Sequence, residues 1–208
     1  MTKSITLKPI LTAASVAILL LTTSCAGTPD QYKKRTSESV AKEVEIKTSE
    51  FDKTINIEGP RIWDDIGVSA TSGFIVMPRR IMKLRGWIDK KTNKSDHQLY
   101  ISQSYDDLTN SSWANFSAAT DDKAKEFSLK KVDYDANCKS NSLSYQIDCS
   151  RSEDVAIDIT EPYLKSRKDS GLKFKIHGQG GTDVIVEVPS NYVNGYLLAI
   201  QNYKSQNK

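Results

Sequence analysis

Along most of the chain apolar residues recur at every second position in short runs, and that period leaves few architectures open. Leu172, Phe174 and Ile176 alternate with lysines; the chain then passes through His177-Gly178-Gln179-Gly180-Gly181-Thr182-Asp183, and Val184, Val186 and Val188 resume the alternation. Successive side chains on a strand point to opposite faces, so this is the signature of two half-buried strands joined in a hairpin. Met82, Leu84 and Ile88 read the same way, as do Leu99, Ile101 and Tyr105, and Val155, Ile157 and Ile159. Clusters of Gly, Pro, Asn, Asp and Ser separate the runs. The expected fold is mainly β, an antiparallel β-sandwich or open barrel with one face buried.

Two helices interrupt this pattern. Thr160 is placed to cap a helix from Glu161 to about Lys168, with Pro162 in its first turn and Gly171 beyond its end. Ser190 is placed to cap a second, from Asn191 to about Tyr203. In the latter Val193, Tyr196, Leu197 and Ile200 share one face, so this C-terminal helix is expected to pack on the sheet.

The N-terminus follows a different logic. Lys3 and Lys8 precede the apolar-to-small run Ile10 to Leu21, and no acidic residue lies before Ser24. The run has the length of a secretory signal's core and falls short of the roughly 20 residues that span a bilayer. Leu21-Thr22-Thr23-Ser24-Cys25-Ala26-Gly27 follows, small residues leading to a cysteine. This resembles the lipobox of bacterial lipoproteins, with Thr22 where that pattern usually carries Leu. The resemblance implies cleavage by signal peptidase II before Cys25, a diacylglyceryl thioether on its sulfur, and acylation (palmitate or a similar chain) of its new amino group. Ala26 after the cysteine fits sorting to the outer membrane of a Gram-negative cell, with the protein facing the periplasm. Three regions are expected: a signal peptide at 1–24, a lipidated polar tether at 25–48 in which Glu38 to Val44 has the makings of a short helix, and a β-rich globular domain at 49–208.

Processing changes the charge. The whole chain carries 29 basic and 26 acidic residues, a formal +3, and two of the lysines leave with the signal, so 27 against 26 leaves +1. A nucleic-acid partner, which needs a basic stripe, is therefore not expected. Local basic clusters at Arg79, Arg80, Lys83 and Arg85, and at Lys165, Arg167, Lys168, Lys173 and Lys175, read as solvated charge on strand edges and helix faces. With Cys25 acylated, Cys138 and Cys149 form an even pair in a secreted domain and read as a disulfide stapling a hairpin whose strands are Phe127 to Tyr134 and Leu143 to Cys149. Zinc is the competing use, but His97 and His177 are distant in sequence and no CxxC spacing occurs.

Catalytic chemistry has little to stand on. A nucleophilic site would need His97 or His177 as base, and Gly67-Val68-Ser69-Ala70-Thr71-Ser72-Gly73 lacks the spacing of a nucleophile elbow. Four acidic pairs are candidates for glycan cleavage: Asp64/Asp65, Asp106/Asp107, Asp121/Asp122 and Glu153/Asp154. Adjacent carboxylates on a strand, however, point to opposite faces. No calcium loop is present, and the Gly178-Gln179-Gly180-Gly181 run leads into a strand rather than a helix, so it reads as a tight turn and not a phosphate cradle. No catalytic residue, metal or cofactor is assigned. Trp87 and Tyr100, out of phase with their aliphatic neighbours, and Trp113 are instead the candidate binding face. The functional expectation is a membrane-anchored, non-enzymatic binding or assembly module for an envelope protein; the alternatives are an envelope hydrolase acting on glycan or peptide, or a small-ligand or lipid carrier.

Overall fold

In a computed structural model the alternating runs become strands of two antiparallel sheets. The structure describes residues 27–65, 79–106, 113–141 and 146–207. Met1 to Ser24, Cys25 and the Gly67 to Gly73 serine loop lie outside the described residues, as do the side chains of Cys138 and Cys149. In chain order the elements are α1 (Pro29–Lys33), α2 (Ser37–Ala41), β1 (Glu45–Lys47), β2 (Thr54–Glu58), β3 (Ile62–Asp65), β4 (Arg79–Asp89), β5 (Ser95–Asp106), β6 (Ala118–Asp121), β7 (Glu126–Phe127), β8 (Leu129–Asn141), β9 (Gln146–Thr160), α3 (Glu161–Ser166), β10 (Leu172–His177), β11 (Val184–Val188) and α4 (Ser190–Gln206).

The larger sheet runs β1-β2-β4-β5-β9-β8, with β3 pairing the first half of β4 beside β2; the smaller runs β11-β10-β6-β7. The phase of each strand decides which face it buries. Met82, Leu84, Ile88, Leu99, Ile101, Val155, Ile157 and Ile159 all point inward, where they join Phe174, Ile176, Val186 and Val188 of the smaller sheet in one apolar cluster. Helix α4 closes that inner face. Tyr192 Oη donates to Pro60 O at 2.6 Å and accepts from Leu84 N at 3.2 Å, which couples the helix to a sheet about 100 residues earlier in the chain.

The local signals for the later elements correspond to what forms, except that Ser190 is the first residue of α4 and not its cap: Pro189 holds the capping position and, with no side-chain oxygen, makes no capping bond. Thr160 Oγ1 caps α3 by accepting from Tyr163 N, Gly171 adopts φ 76° beyond its end, and β10 and β11 pair from Leu172↔Val188 to Ile176↔Val184. Between those strands Gln179–Gly181 makes a single 3-10 turn.

The N-terminal region departs from expectation. The stretch read as a polar tether is folded from Gly27 onward: Thr28 makes a capping box for α1, Thr36 caps α2, and Tyr32 and Val40 are both 0% exposed. Both residues pack against α4, and Val44 and Ile46 further along the stretch pack against the same core. Tyr32 packs edge-to-face on Tyr192 at 5.1 Å. Gly195 admits α2, since a β-carbon there would lie 2.7 Å from Ser37 O. Asn191 Nδ2 donates to the carbonyls of Lys33 and Arg35, tying the two short helices to α4.

Candidate functional site

The outward-pointing residues of β4, β5 and β9 build a polar and aromatic row on the outer face of the larger sheet, where Arg85, Trp87 and Tyr100 are half-buried and Gln98 is buried. Register places Lys83 opposite Tyr100, Arg85 opposite Gln98, and Gln98 opposite Asp158. At the centre the Arg85 guanidinium lies 4.8 Å from the Tyr100 ring and 5.5 Å from the Trp87 ring, and its Nε donates to Gln98 Oε1 at 3.0 Å. Gln98 Nε2 donates on to Asp158 at 2.7 Å, and Lys130 Nζ pairs with the other oxygen of that carboxylate at 2.7 Å. Toward the opposite edge Lys83 pairs with Glu58 at 3.0 Å, while Tyr100 Oη donates to Asp154. The row therefore crosses five neighbouring strands, β2, β4, β5, β9 and β8, a width of about 19 Å at the usual strand spacing.

Cation–π contacts and relayed hydrogen bonds hold these side chains in one arrangement, which lowers the entropy cost of presenting them to a partner. Trp, Tyr and Arg are the residue types that dominate protein–protein binding energy. The row lies on the face of a sheet.

Trp113 does not belong to this face. It stacks on Tyr134 at 3.8 Å and 18° and lies 5.7 Å from Tyr105, which points inward. The cause is Glu153, 0% exposed, whose carboxylate accepts from Phe116 N at 2.7 Å, Tyr105 Oη at 3.0 Å and Asn115 N at 3.1 Å. That carboxylate draws the irregular segment 113–117 across the inner side, and Trp113 goes with it. Arg85 is the residue that sequence reasoning undervalued, grouped only with nearby cations; its phase, shared with Trp87, was the available signal.

The acidic pairs are dispersed. Asp64 accepts from buried Arg80 at 2.9 Å. Asp121 and Asp122 both hold Arg167, and Tyr163 Oη and the Lys123 and Lys125 amides also donate to Asp121. Burial pushes the Asp121 carboxyl up, but these donors outweigh it and hold its pKa at about 2. Glu153 faces inward and Asp154 outward, while Asp107 and the side chains of Asp65 and Asp106 lie outside the described residues. The two basic clusters are largely paired as well: beside Arg80, Lys83 and Arg167, the lysines 165, 173 and 175 bond to Glu161, Glu187 and Asp183.

His177 lies at the end of β10, its Nε2 3.0 Å from Thr120 Oγ1 and its Nδ1 3.7 Å from Asp183. His97 is 2% exposed; its Nδ1 shares a 3.2 Å hydrogen bond with Tyr196 Oη. Burial pushes its pKa down to about 4, with Glu161 opposing and Lys204 reinforcing the shift, so the ring is neutral at physiological pH. It lines an open groove of about 640 Å³ beside α4, edged by Glu161, Lys165 and Lys204.

Among the described residues no three His, Cys, Asp or Glu side chains gather so as to hold a metal ion, and no helix is long and apolar enough to cross a membrane. Comparison of the chain with protein-family models, with curated proteins and with solved structures finds no match.

Proposed function

We propose that this chain is a secreted bacterial lipoprotein, held by acylated Cys25 in the outer membrane and facing the periplasm, which presents the outer face of its larger sheet to an envelope protein. The observation that supports the binding role is the Arg85 guanidinium held against the Trp87 and Tyr100 rings on the outer face of the larger sheet. The anchor rests on the lipobox resemblance: each buried methylene contributes about 0.8 kcal/mol, so two or three acyl chains hold a protein permanently where one would not.

In the same reading Cys138 and Cys149 are disulfide-bonded. The backbone register of β8 and β9 makes them direct cross-strand partners. Such partners have Cα atoms about 4.5 or 5.5 Å apart, within the span a disulfide requires. The catalytic alternative has less support, because Asp64, Asp121, Asp122, Glu153 and Asp154 are committed to separate ion pairs and hydrogen bonds, and among the described residues no serine or cysteine nucleophile is bonded to His177.

Membrane fractionation tests the anchor: the wild-type chain is expected in the membrane fraction and Cys25→Ser in the soluble one, and a membrane-bound Cys25→Ser chain would refute it. Affinity purification from membranes tests the binding face: Arg85→Glu is expected to lose partners that the wild type retains. Thiol counting on the unfolded, unreduced protein tests the disulfide, with no reactive thiol expected at positions 138 and 149.

A further inference from the structure

The short stretch of chain between Cys25 and Gly27 limits how far the membrane can be from the fold. Gly27 N donates to Arg61 O at 3.2 Å and its carbonyl accepts from Trp63 N at 2.8 Å, a parallel bridge to Ile62 along the free edge of β3. The next residues allow no slack, because Thr28 caps α1 and buried Tyr32 donates to Arg61 O at 3.2 Å. Between Gly27 and Cys25 the sequence holds only Ala26. Two residues reach at most about 7 Å. On the reading of Cys25 as an acylated N-terminus, on which this argument rests, the glyceryl group on its sulfur sits among lipid headgroups. Gly27 is then held within that reach of them.

We infer that the domain stands directly on the bilayer, with the β3 edge around Gly27 against the phospholipid headgroups and β8 at the far side of the sheet. A notch of about 450 Å³ beside Gly27 is lined by Trp63, Ile185 and Lys33 together with Asp30, Asp64 and Glu187, and Lys33 pairs with Asp30, so its apolar residues and not its charge suit that contact. Ile185 is 56% exposed although apolar, and tryptophan is enriched at membrane interfaces because its ring is amphipathic. From β3 the order β4, β5, β9, β8 carries the sheet four strands away, about 19 Å at the usual spacing. The chain leaves from an edge and not from a face, so the Arg85 row stays free for a protein partner while the anchor is occupied.

The test uses the acylated mature protein in phosphatidylethanolamine/phosphatidylglycerol vesicles, with bimane attached to Ile185→Cys or to Val132→Cys on β8 and a headgroup-spin-labelled lipid as quencher. Because the reach is short, quenching at 185 is expected to be about threefold that at 132. A flexible Gly/Ser insert of about 15 residues after Ala26, spanning roughly 20 Å, is expected to erase the difference while flotation with the vesicles persists. Equal quenching at both positions in a floating protein, or a difference that survives the insert, overturns the inference and leaves the anchor standing. A wild-type chain that fails to float, or a Cys25→Ser chain that floats, defeats the anchor reading itself.

Discussion

Leu84 and Arg85 are neighbours in β4 and belong to different worlds. Leu84 points to the inner face, where it is fully buried and its amide donates to Tyr192 of α4. Arg85 points to the outer face, where its contacts are two aromatic rings and a glutamine. The inner face is apolar, and its few buried polar groups are mostly committed: Glu153 to three donors, Arg80 to Asp64 and Gln103. The outer face carries charges of alternating sign bonded to one another across strands. One face supplies stability; the other spends little on stability and keeps a fixed constellation available for contact. Four substitutions or conditions would break or sharpen that contrast.

The largest effect is expected from Leu84→Ala, which opens a cavity between β4 and α4 and should cost about 3 to 4 kcal/mol in urea unfolding. A cost below about 1 kcal/mol would mean the inner face does not hold the fold.

Next is acid. The His97 pKa is lowered from 6.5 to about 4, so between these values the unfolded chain binds a proton that the folded one does not. Stability from this group is complete above pH 6.5, falls as the pH drops through the window, and the loss reaches about 2 to 3 kcal/mol near pH 4. Asp121 and Glu161, both held at about 2, extend the decline below their ordinary carboxylate values. His97→Gln should flatten the slope between pH 6.5 and 4 in unfolding titrations, and an unchanged slope would contradict the assignment.

Glu153→Gln comes third. It replaces a charged acceptor of three hydrogen bonds by an amide with one acceptor oxygen, at an expected cost of about 2 kcal/mol. Trp113, carried on the segment that Glu153 holds, should show a change in fluorescence along with it. The smallest effect is Arg85→Ala: under about 1 kcal/mol of stability, as for a surface cation–π site, with loss of partner binding. A large destabilisation would place Arg85 among the structural residues and dissolve the contrast.

How much of this was legible in the sequence follows from how local each signal is. The β10/β11 hairpin and α3 are written in contiguous residues, an alternation and a cap, and they form where expected. Of the N-terminal helices only α2 was legible, from the stretch Glu38 to Val44; their docking was not, because Tyr32 and Val40 are isolated apolar residues in a polar stretch, and their partners, Tyr192 and Gly195, lie some 150 residues away. Trp87 and Tyr100 could be assigned to one face because strand phase determines orientation. Trp113 could not, because it precedes β6 in an irregular segment whose course is set by a carboxylate on β9. The pairing of Arg85 with both rings was half legible: the shared phase was there, but the cross-strand register that brings Tyr100 alongside was not.

The central claim, that the outer face is a protein-binding surface, is tested most directly by a photo-crosslinking residue placed at Ser102 in intact cells, with Lys173 on the smaller sheet as the comparison site. Ser102 shares the outer face of β5 with Tyr100, whereas Lys173 is exposed on β10. The account predicts a discrete protein adduct from position 102 that disappears when Arg85→Glu is added, and none from position 173. No adduct from 102, or one that Arg85→Glu leaves unchanged, would contradict it.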